Sequence, residues 1–329
     1  MTGRLRFLSA RHVERALPVR EAVEVMKEAF RQLSAGEAVV PPRTHIEAAE
    51  SRGDALFMPS CLPAARRMGI KVVTVHRGNP PLGLPLLQAV MVVLDATTGS
   101  PLAVMDGTSL TAIRTGAASG AATDLLARPD TTVAAIFGAG PQARTQLQAV
   151  CAVRPIREAR VFDSDAGRAE AFAREMASRL GIAVRVARSP SEALAGADVV
   201  CTATTSVVPV FADRDLAEGA HINAIGSYKP SAREIPGETV QRARAVVDHL
   251  PAALAEAGDL LIPMREGLIG RDHIHAELGE IVAGRKKGRE SRSQITLFKS
   301  VGVAVQDLAA ADRLLANAER LSLGTELSL

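Results

Sequence analysis

Aromatic residues are scarce in this chain: they make up 3% of its 329 residues, with no tryptophan and one tyrosine, Tyr228. The one dense basic run, "GRKKGRESR" at Gly284–Arg292, has no aromatic residue interleaved with it. It therefore reads as a solvated loop and not as a nucleic-acid surface. Cysteine is equally sparse. Cys61, Cys151 and Cys201 are odd in number and far apart, and they form no C-x-x-C pair. That pattern supports neither a disulfide framework nor a zinc site, and no metal is expected. No apolar run approaches the ~20 residues needed to cross a bilayer, and the first residues lack a signal-type apolar core. An excess of one charge is missing too, since 39 Lys and Arg face 36 Asp and Glu for a formal +3. These absences lead to the expectation of a cytoplasmic protein with neither nucleic acid nor membrane as a partner.

What is present is a soluble globular balance, with 47% hydrophobic and 23% charged residues. The length suits two domains of roughly 100–200 residues each. Val19–Leu33 places Val19, Val23, Met26, Ala29, Phe30 and Leu33 at helical spacing, with Gly36 as a stop. From Ala38 to Met105 the texture is one of short β-like runs, and "DATTGSP" reads as the turn of a hairpin. "SLTAIRTGAASGAATDLLA" reads as a helix whose two glycines call for a packing or ligand reason. After Pro129 strand and helix patterns alternate. Candidate strands are Thr132–Phe137, Ala159–Asp163, Ala183–Ala187, Asp198–Ala203, His221–Gly226 and Ala245–Asp248. The alternation predicts an α/β protein with a doubly wound parallel sheet. The last helical stretch, "VGVAVQDLAAADRLLANAERLS", is placed back on the N-terminal half. The expected division is a discontinuous domain, 1–117 with 303–329, around the doubly wound domain, 118–302.

The stretch "TTVAAIFGAGPQARTQ" carries the most specific signal. Gly138-x-Gly140-x-x-Ala143 follows a predicted strand and opens a predicted helix, the context a dinucleotide fingerprint requires. Gly138 permits the turn, Gly140 admits the pyrophosphate to the backbone, and Ala143 lets the helix pack close to the strand. Asp163 follows 25 residues after Gly138, near the ~20-residue spacing of a ribose-binding carboxylate. A carboxylate there favours NAD(H) over NADP(H), with Arg168 as the competing feature. Alternatively, Asp163 or Ser164 simply caps the next helix. In a chain without tryptophan, bound NADH would fluoresce without the usual energy-transfer band.

In the front half Arg43, Lys71 and Arg114 stand near apparent strand or helix ends. Lys71 is embedded in "MGIKVVTV", apolar on both faces. A buried lysine needs a partner, few acids lie nearby in sequence, and a substrate carboxylate would serve. His45, His76 and His221 have no evident metal or nucleophile partner and read as structural or exposed.

The stretches "PPRTHI", "FMPSC", "GIKVVTV", "DATTGSPLAVMDGTSLTAIRTGAAS", "FGAGPQA", "HINAIGSYKP" and "FKSVGVAVQDL" together resemble the ornithine cyclodeaminase/μ-crystallin family, in order and over nearly the whole chain. The resemblance implies a homodimer of a Rossmann domain and a second domain that binds substrate and dimerises. Family activities include ornithine and lysine cyclodeaminases, alanine dehydrogenases and ketimine reductases, besides the hormone-binding μ-crystallin. It assigns Arg43, Lys71 and Arg114 to a substrate carboxylate and the reacting centre. It places Thr115, Gly138, Ala139, Gly140, Pro141, Gln142 and Ser300 at the cofactor and Val301 beside the substrate. "CTATT", with Thr202, Ala203 and Thr204, and "NAIG", with Asn223, Ala224, Ile225 and Gly226, end strands at the carboxyl edge where such folds hold ligands.

The sequence departs from the cyclodeaminases at two positions. Those enzymes carry an aspartate two residues before the proline of "AIGSYKPSARE", where Tyr228 stands here, and a carboxylate before the "MP" step, where Leu56 stands. The loss of both acids points away from a diamino acid and toward a ring, whose methylenes suit Leu56. The expected reaction is NAD(P)H-dependent reduction of an α-imino acid, Δ1-pyrroline-2-carboxylate or Δ1-piperideine-2-carboxylate, to L-proline or L-pipecolate. Lys71 is expected to polarise or protonate the reacting centre, with burial lowering its pKa toward neutrality. Tyr228 serves either proton delivery or a packing or cofactor-stacking role. Alternatives are an alanine or N-alkyl amino acid dehydrogenase, ornithine cyclodeaminase, or a non-enzymatic binding protein like μ-crystallin.

Overall fold

A computed structural model describes residues 4–48 and 53–328. The chain forms two compact units, Met1–Arg114 with Val303–Leu329, and Thr115–Gly302. It passes from the first to the second within the helix Gly107–Leu126.

In the first unit β2 (Thr44–Ala48), β3 (Gly53–Leu62), β4 (Arg67–His76), β5 (Leu87–Asp95) and β6 (Pro101–Asp106) run as an antiparallel meander, and β1 (Arg4–Leu8) lies parallel to β6. The β5–β6 turn is the hairpin read from "DATTGSP", with Gly99 at φ +73°. Helix Val19–Ser34 buries Val23, Met26, Ala29, Phe30 and Leu33 along one stripe, as its spacing predicts, and Gly36 follows at φ +73°.

In the second unit eight strands are all parallel: β7 (Val133–Phe137), β8 (Glu158–Phe162), β9 (Ala183–Val186), β10 (Val199–Thr202), β11 (His221–Ala224), β12 (Arg244–Val247), β13 (Ile274–Glu277) and β14 (Thr296–Lys299). Their order is β13-β12-β14-β11-β10-β7-β8-β9, so the winding reverses between β7 and β10. Six of the eight match the strands expected from sequence. β13 and β14 do not, and β14 sits inside the sheet, between β11 and β12. β14 ends in a fully buried lysine, Lys299, and β13 alternates Ile274 and Ala276 with His275 and Glu277, so neither shows the continuous apolar run of a buried parallel strand.

A strand β15 (Thr325–Ser328), exposed throughout, returns to the first unit and pairs with β1. Just before it, helix Ala304–Arg320 packs on β3, β4, β5 and helix Val19–Ser34. Within the long helix, Gly116 has a packing reason, because a Cβ there would lie 2.4 Å from the Thr145 carbonyl oxygen. Part of the basic run is structural. Arg289 donates to the carbonyls of Leu126 and Ala220, and Arg292 pairs with Asp130. No helix among the described residues is long and apolar enough to cross a membrane.

Candidate active site

Strand β7 ends in a sharp turn at Gly138, with φ +94°. A Cβ there would lie 2.7 Å from the Ala203 carbonyl oxygen, so both the dihedral and the neighbouring loop require glycine. Gly140 is a different case. Its φ of −81° suits any residue, and an added Cβ would meet nothing nearer than Arg168 Nη2 at 3.7 Å. The fold keeps that space clear, as a backbone approached by a pyrophosphate must. Helix Pro141–Val153 starts from Gly140, which offers no capping side chain, and no acid stands in its first turn. Its first amides and its positive end are left for an anion. Gln142 adds a buried Oε1 with no hydrogen-bond partner among the described residues. At the reversal between β7 and β10, these features fit a dinucleotide.

Asp163 is anchored on that turn: its Oδ2 accepts from the Ala139 amide at 2.8 Å and its Oδ1 from the Asp165 amide at 3.0 Å. The exposed Arg168 brings Nη2 to 3.9 Å from the same carboxylate. The helix cap is neither Asp163 nor the exposed Ser164 but Asp165, whose Oδ1 accepts from the Arg168 amide at 3.1 Å.

The loops after β10 and β11 converge on buried Glu234, which accepts from the Thr202 and Thr204 hydroxyls and from the amides of Thr204, Gly226 and Ser227. The Asn223 side chain is fully buried, donating to Thr123 Oγ1 at 2.9 Å and bringing its Oδ1 to 3.2 Å from His221 Nε2. His221 is structural, its pKa pushed down to about 3 chiefly by burial. Ser300 donates to Asp248 Oδ2 at 2.7 Å, and the same oxygen accepts the Val301 and Gly302 amides at 2.9 and 2.8 Å. Thr115 is buried, and its carbonyl accepts from Gln146 at 3.2 Å.

In the first unit, Lys71 points from the middle of β4 between its register partners Met58 and Met91, and is 1% exposed. Its partner corrects the sequence reading: it is a carboxylate of the chain itself, Asp307, in the first turn of helix Ala304–Arg320. Lys71 Nζ lies 2.8 Å from both Asp307 oxygens. Arg114 Nε donates to Asp307 Oδ1 at 2.9 Å and its Nη1 to Gln306 Oε1 at 2.7 Å. Gln306 Nε2 is buried beside them with no partner among the described residues. Burial, with Arg114 and Arg43 as neighbouring cations, outweighs Asp307 and pulls the lysine pKa down to about 8. Two cations against one carboxylate leave the cluster positive, and Arg43 adds to this. Leu56, half-buried, packs with Met58, Val73 and Ala304 on the same face.

The sequence model of the ornithine cyclodeaminase/mu-crystallin family matches residues 5–321. The chain belongs to that family. The Δ1-pyrroline-2-carboxylate reductase of Bacillus cereus (strain ZK / E33L) is 38% identical over 321 residues, covering 97% of this chain and 98% of its own. The solved structure of the Thermococcus litoralis Δ1-pyrroline-2-carboxylate reductase, in complex with NADH and L-proline, superposes with a TM-score of 0.94 at 46% identity, over 97% of this chain and 99% of its own. An archaeal alanine dehydrogenase dimer with bound NAD gives 0.92 at 38% identity, over 99% of each chain.

Within this cyclodeaminase/mu-crystallin chain, the expected residues fall into two groups. Lys71 and Arg114 meet in the first unit, while the glycine turn, Asp163 and the loops after β10 and β11 gather at one edge of the second sheet. Sequence reading missed Asp307, Gln306 and Glu234. Asp307 and Gln306 left a trace, a polar pair inside the apolar run "VGVAVQDLAAA". Glu234 left none, since "SARE" has the texture of a solvated loop.

Proposed function

We propose that this chain is an NADH-dependent reductase of cyclic α-imino acids, converting Δ1-pyrroline-2-carboxylate or its six-membered homologue to L-proline or L-pipecolate. The observation that carries the reading is the buried Lys71–Asp307–Arg114 cluster. A lysine with a pKa near 8 gives up a proton close to neutral pH. The positive charge of the cluster, with the buried Gln306 Nε2 left without a partner among the described residues, suits one substrate carboxylate. Arg43 adds a third cation to that binding, and Leu56 takes the ring methylenes. NADH, when bound, would supply the hydride to the α-carbon. As the carbon–nitrogen π bond opens, Lys71 delivers the proton that the nitrogen gains. Gly138 to Gln142 hold the pyrophosphate, Asp163 the adenosine ribose, and Thr115, Thr204, Gly226 and Ser300 line the remainder. Asp163 supports a preference for NAD(H) over NADP(H). The homodimer and cytoplasmic setting expected of the family complete the reading, with the first unit forming the dimer contact.

Steady-state oxidation of NADH with Δ1-pyrroline-2-carboxylate, then with pyruvate and ammonia, then release of proline and ammonia from ornithine in the presence of NAD, tests it. Turnover of the cyclic imine well above the other two is expected. Comparable use of ornithine would overturn the reading of Leu56 and Tyr228, and preference for pyruvate with ammonia would make the chain an alanine dehydrogenase.

A further inference from the structure

Glu234 is fully buried and lies on no regular element, yet five donors converge on its carboxylate. Oε1 accepts from the Thr204 amide and Thr204 Oγ1, both at 2.7 Å. Oε2 accepts from Thr202 Oγ1 at 2.9 Å, the Gly226 amide at 2.7 Å and the Ser227 amide at 3.2 Å. One oxygen thus serves the loop after β10, and the other ties that loop to the one after β11. The main chain of Glu234 is fixed in turn. Its amide and that of Ile235 donate to Asp259 Oδ1 at 2.6 and 3.0 Å. Lys299, at the end of β14, closes the circuit: it pairs with Asp259 Oδ2 at 2.8 Å and donates to the Ser227 carbonyl at 2.5 Å. Asp259 and Lys299 are both fully buried.

The Glu234 carboxylate holds two loops at once. Buried acids are costly unless fully hydrogen-bonded, and here the hydrogen bonds all run to two loops at the carboxyl edge of the sheet. Ser227 is fixed through its amide, its carbonyl and its hydroxyl, which donates to the Ala232 carbonyl at 2.5 Å. Tyr228, the residue that departs from the cyclodeaminases, is the first beyond that anchor and is 39% exposed.

We infer that Glu234 is a positioning residue that sets the loops after β10 and β11, and Tyr228 with them, in the arrangement that receives the nicotinamide half of the cofactor. The inference rests on the dinucleotide reading of this edge proposed above. Glutamine at this position keeps the size and one acceptor but turns a donor toward the Gly226 and Ser227 amides. The β11 loop then loses its tie while the β10 loop keeps its own.

The test is direct titration of the full-length protein with NADH, in the absence of any imino acid, beside its melting temperature. Glu234→Gln is expected to weaken NADH binding roughly tenfold to a hundredfold, the scale of one or two buried amides left unpaired. A purely structural strut would lower the melting temperature and leave the affinity of the folded protein unchanged, and that outcome would overturn the inference. Should Glu234→Gln fail to fold, Thr202→Val takes its place. Thr202 is fully buried, so its hydroxyl acts on a ligand only through Glu234. A several-fold weaker affinity for NADH supports the inference, and an unchanged one refutes it. Failure of the wild-type chain to reduce any cyclic imine would sink the proposed substrate and leave this titration intact.

Discussion

Substituting Asp307 with asparagine probes the site most sharply. The change preserves shape and removes the single negative charge that Lys71 and Arg114 share at 2.8 and 2.9 Å. Asp307 is the largest influence holding the lysine pKa up, against burial that drives it down to about 8. An opposite charge in direct contact shifts a pKa by roughly 1–3 units, so its loss carries the Lys71 value further down. At about 1.4 kcal/mol per unit, the protonated lysine loses roughly 1.4–4 kcal/mol of support. The sign for stability follows from proton counting. Between the folded pKa and the unfolded value of 10.5 the unfolded chain binds more protons, so stability rises with pH across that window. In the variant the window opens at lower pH, and the added instability is worst in acid. The activity assay is the initial rate of NADH oxidation with Δ1-pyrroline-2-carboxylate from mildly acidic to alkaline pH. In the wild type the rate should fall as pH rises through about 8, where Lys71 loses its proton. In Asp307→Asn the fall should come at least one unit lower, on the same scale. An alkaline limb that stays in place would show that Lys71 is not the proton donor.

Other expectations are as specific. Gly140→Val should leave the melting temperature nearly unchanged, because the first atom it adds meets only Arg168 at 3.7 Å, and should abolish NADH binding by calorimetry. Asp163→Ser should narrow any preference for NADH over NADPH by about 1.5–3 kcal/mol in relative kcat/KM, the scale of a charge-assisted hydrogen bond; an unchanged ratio would remove its ribose role. His221 should make the protein acid-sensitive. Its folded pKa of about 3 lies below the ordinary 6.5, so stability is lost as pH falls through that interval. The loss amounts to about 4–5 kcal/mol, and denaturant titrations of His221→Asn should show a flatter acid limb.

What the sequence made legible follows from the range of the interactions involved. The glycine turn was readable because strand, turn and helix are consecutive, and each leaves a local period or a steric demand. Lys71 stood out for the same reason, as a charge inside a strand apolar on both faces. Its partner did not, because Asp307 lies 236 residues away and only the packing of a late helix on β4 brings it there. Strand β14 was hidden by Lys299, whose charge is masked by Asp259 from a distant helix. Glu234 shows the limit plainly: an acid in a polar loop looks solvated until five donors are seen around it.

The separation between Lys71 and Asp307 also bears on how the molecule is made. The first unit is stitched from both flanks of the chain, whereas Thr115–Gly302 is one continuous piece. On the ribosome the lysine emerges long before the acid that makes its burial tolerable. Until helix Ala304–Arg320 has been made, its sheet has no acid to set against the buried amine. The Lys71–Asp307 pair can therefore form only after the whole of Thr115–Gly302 has been synthesised.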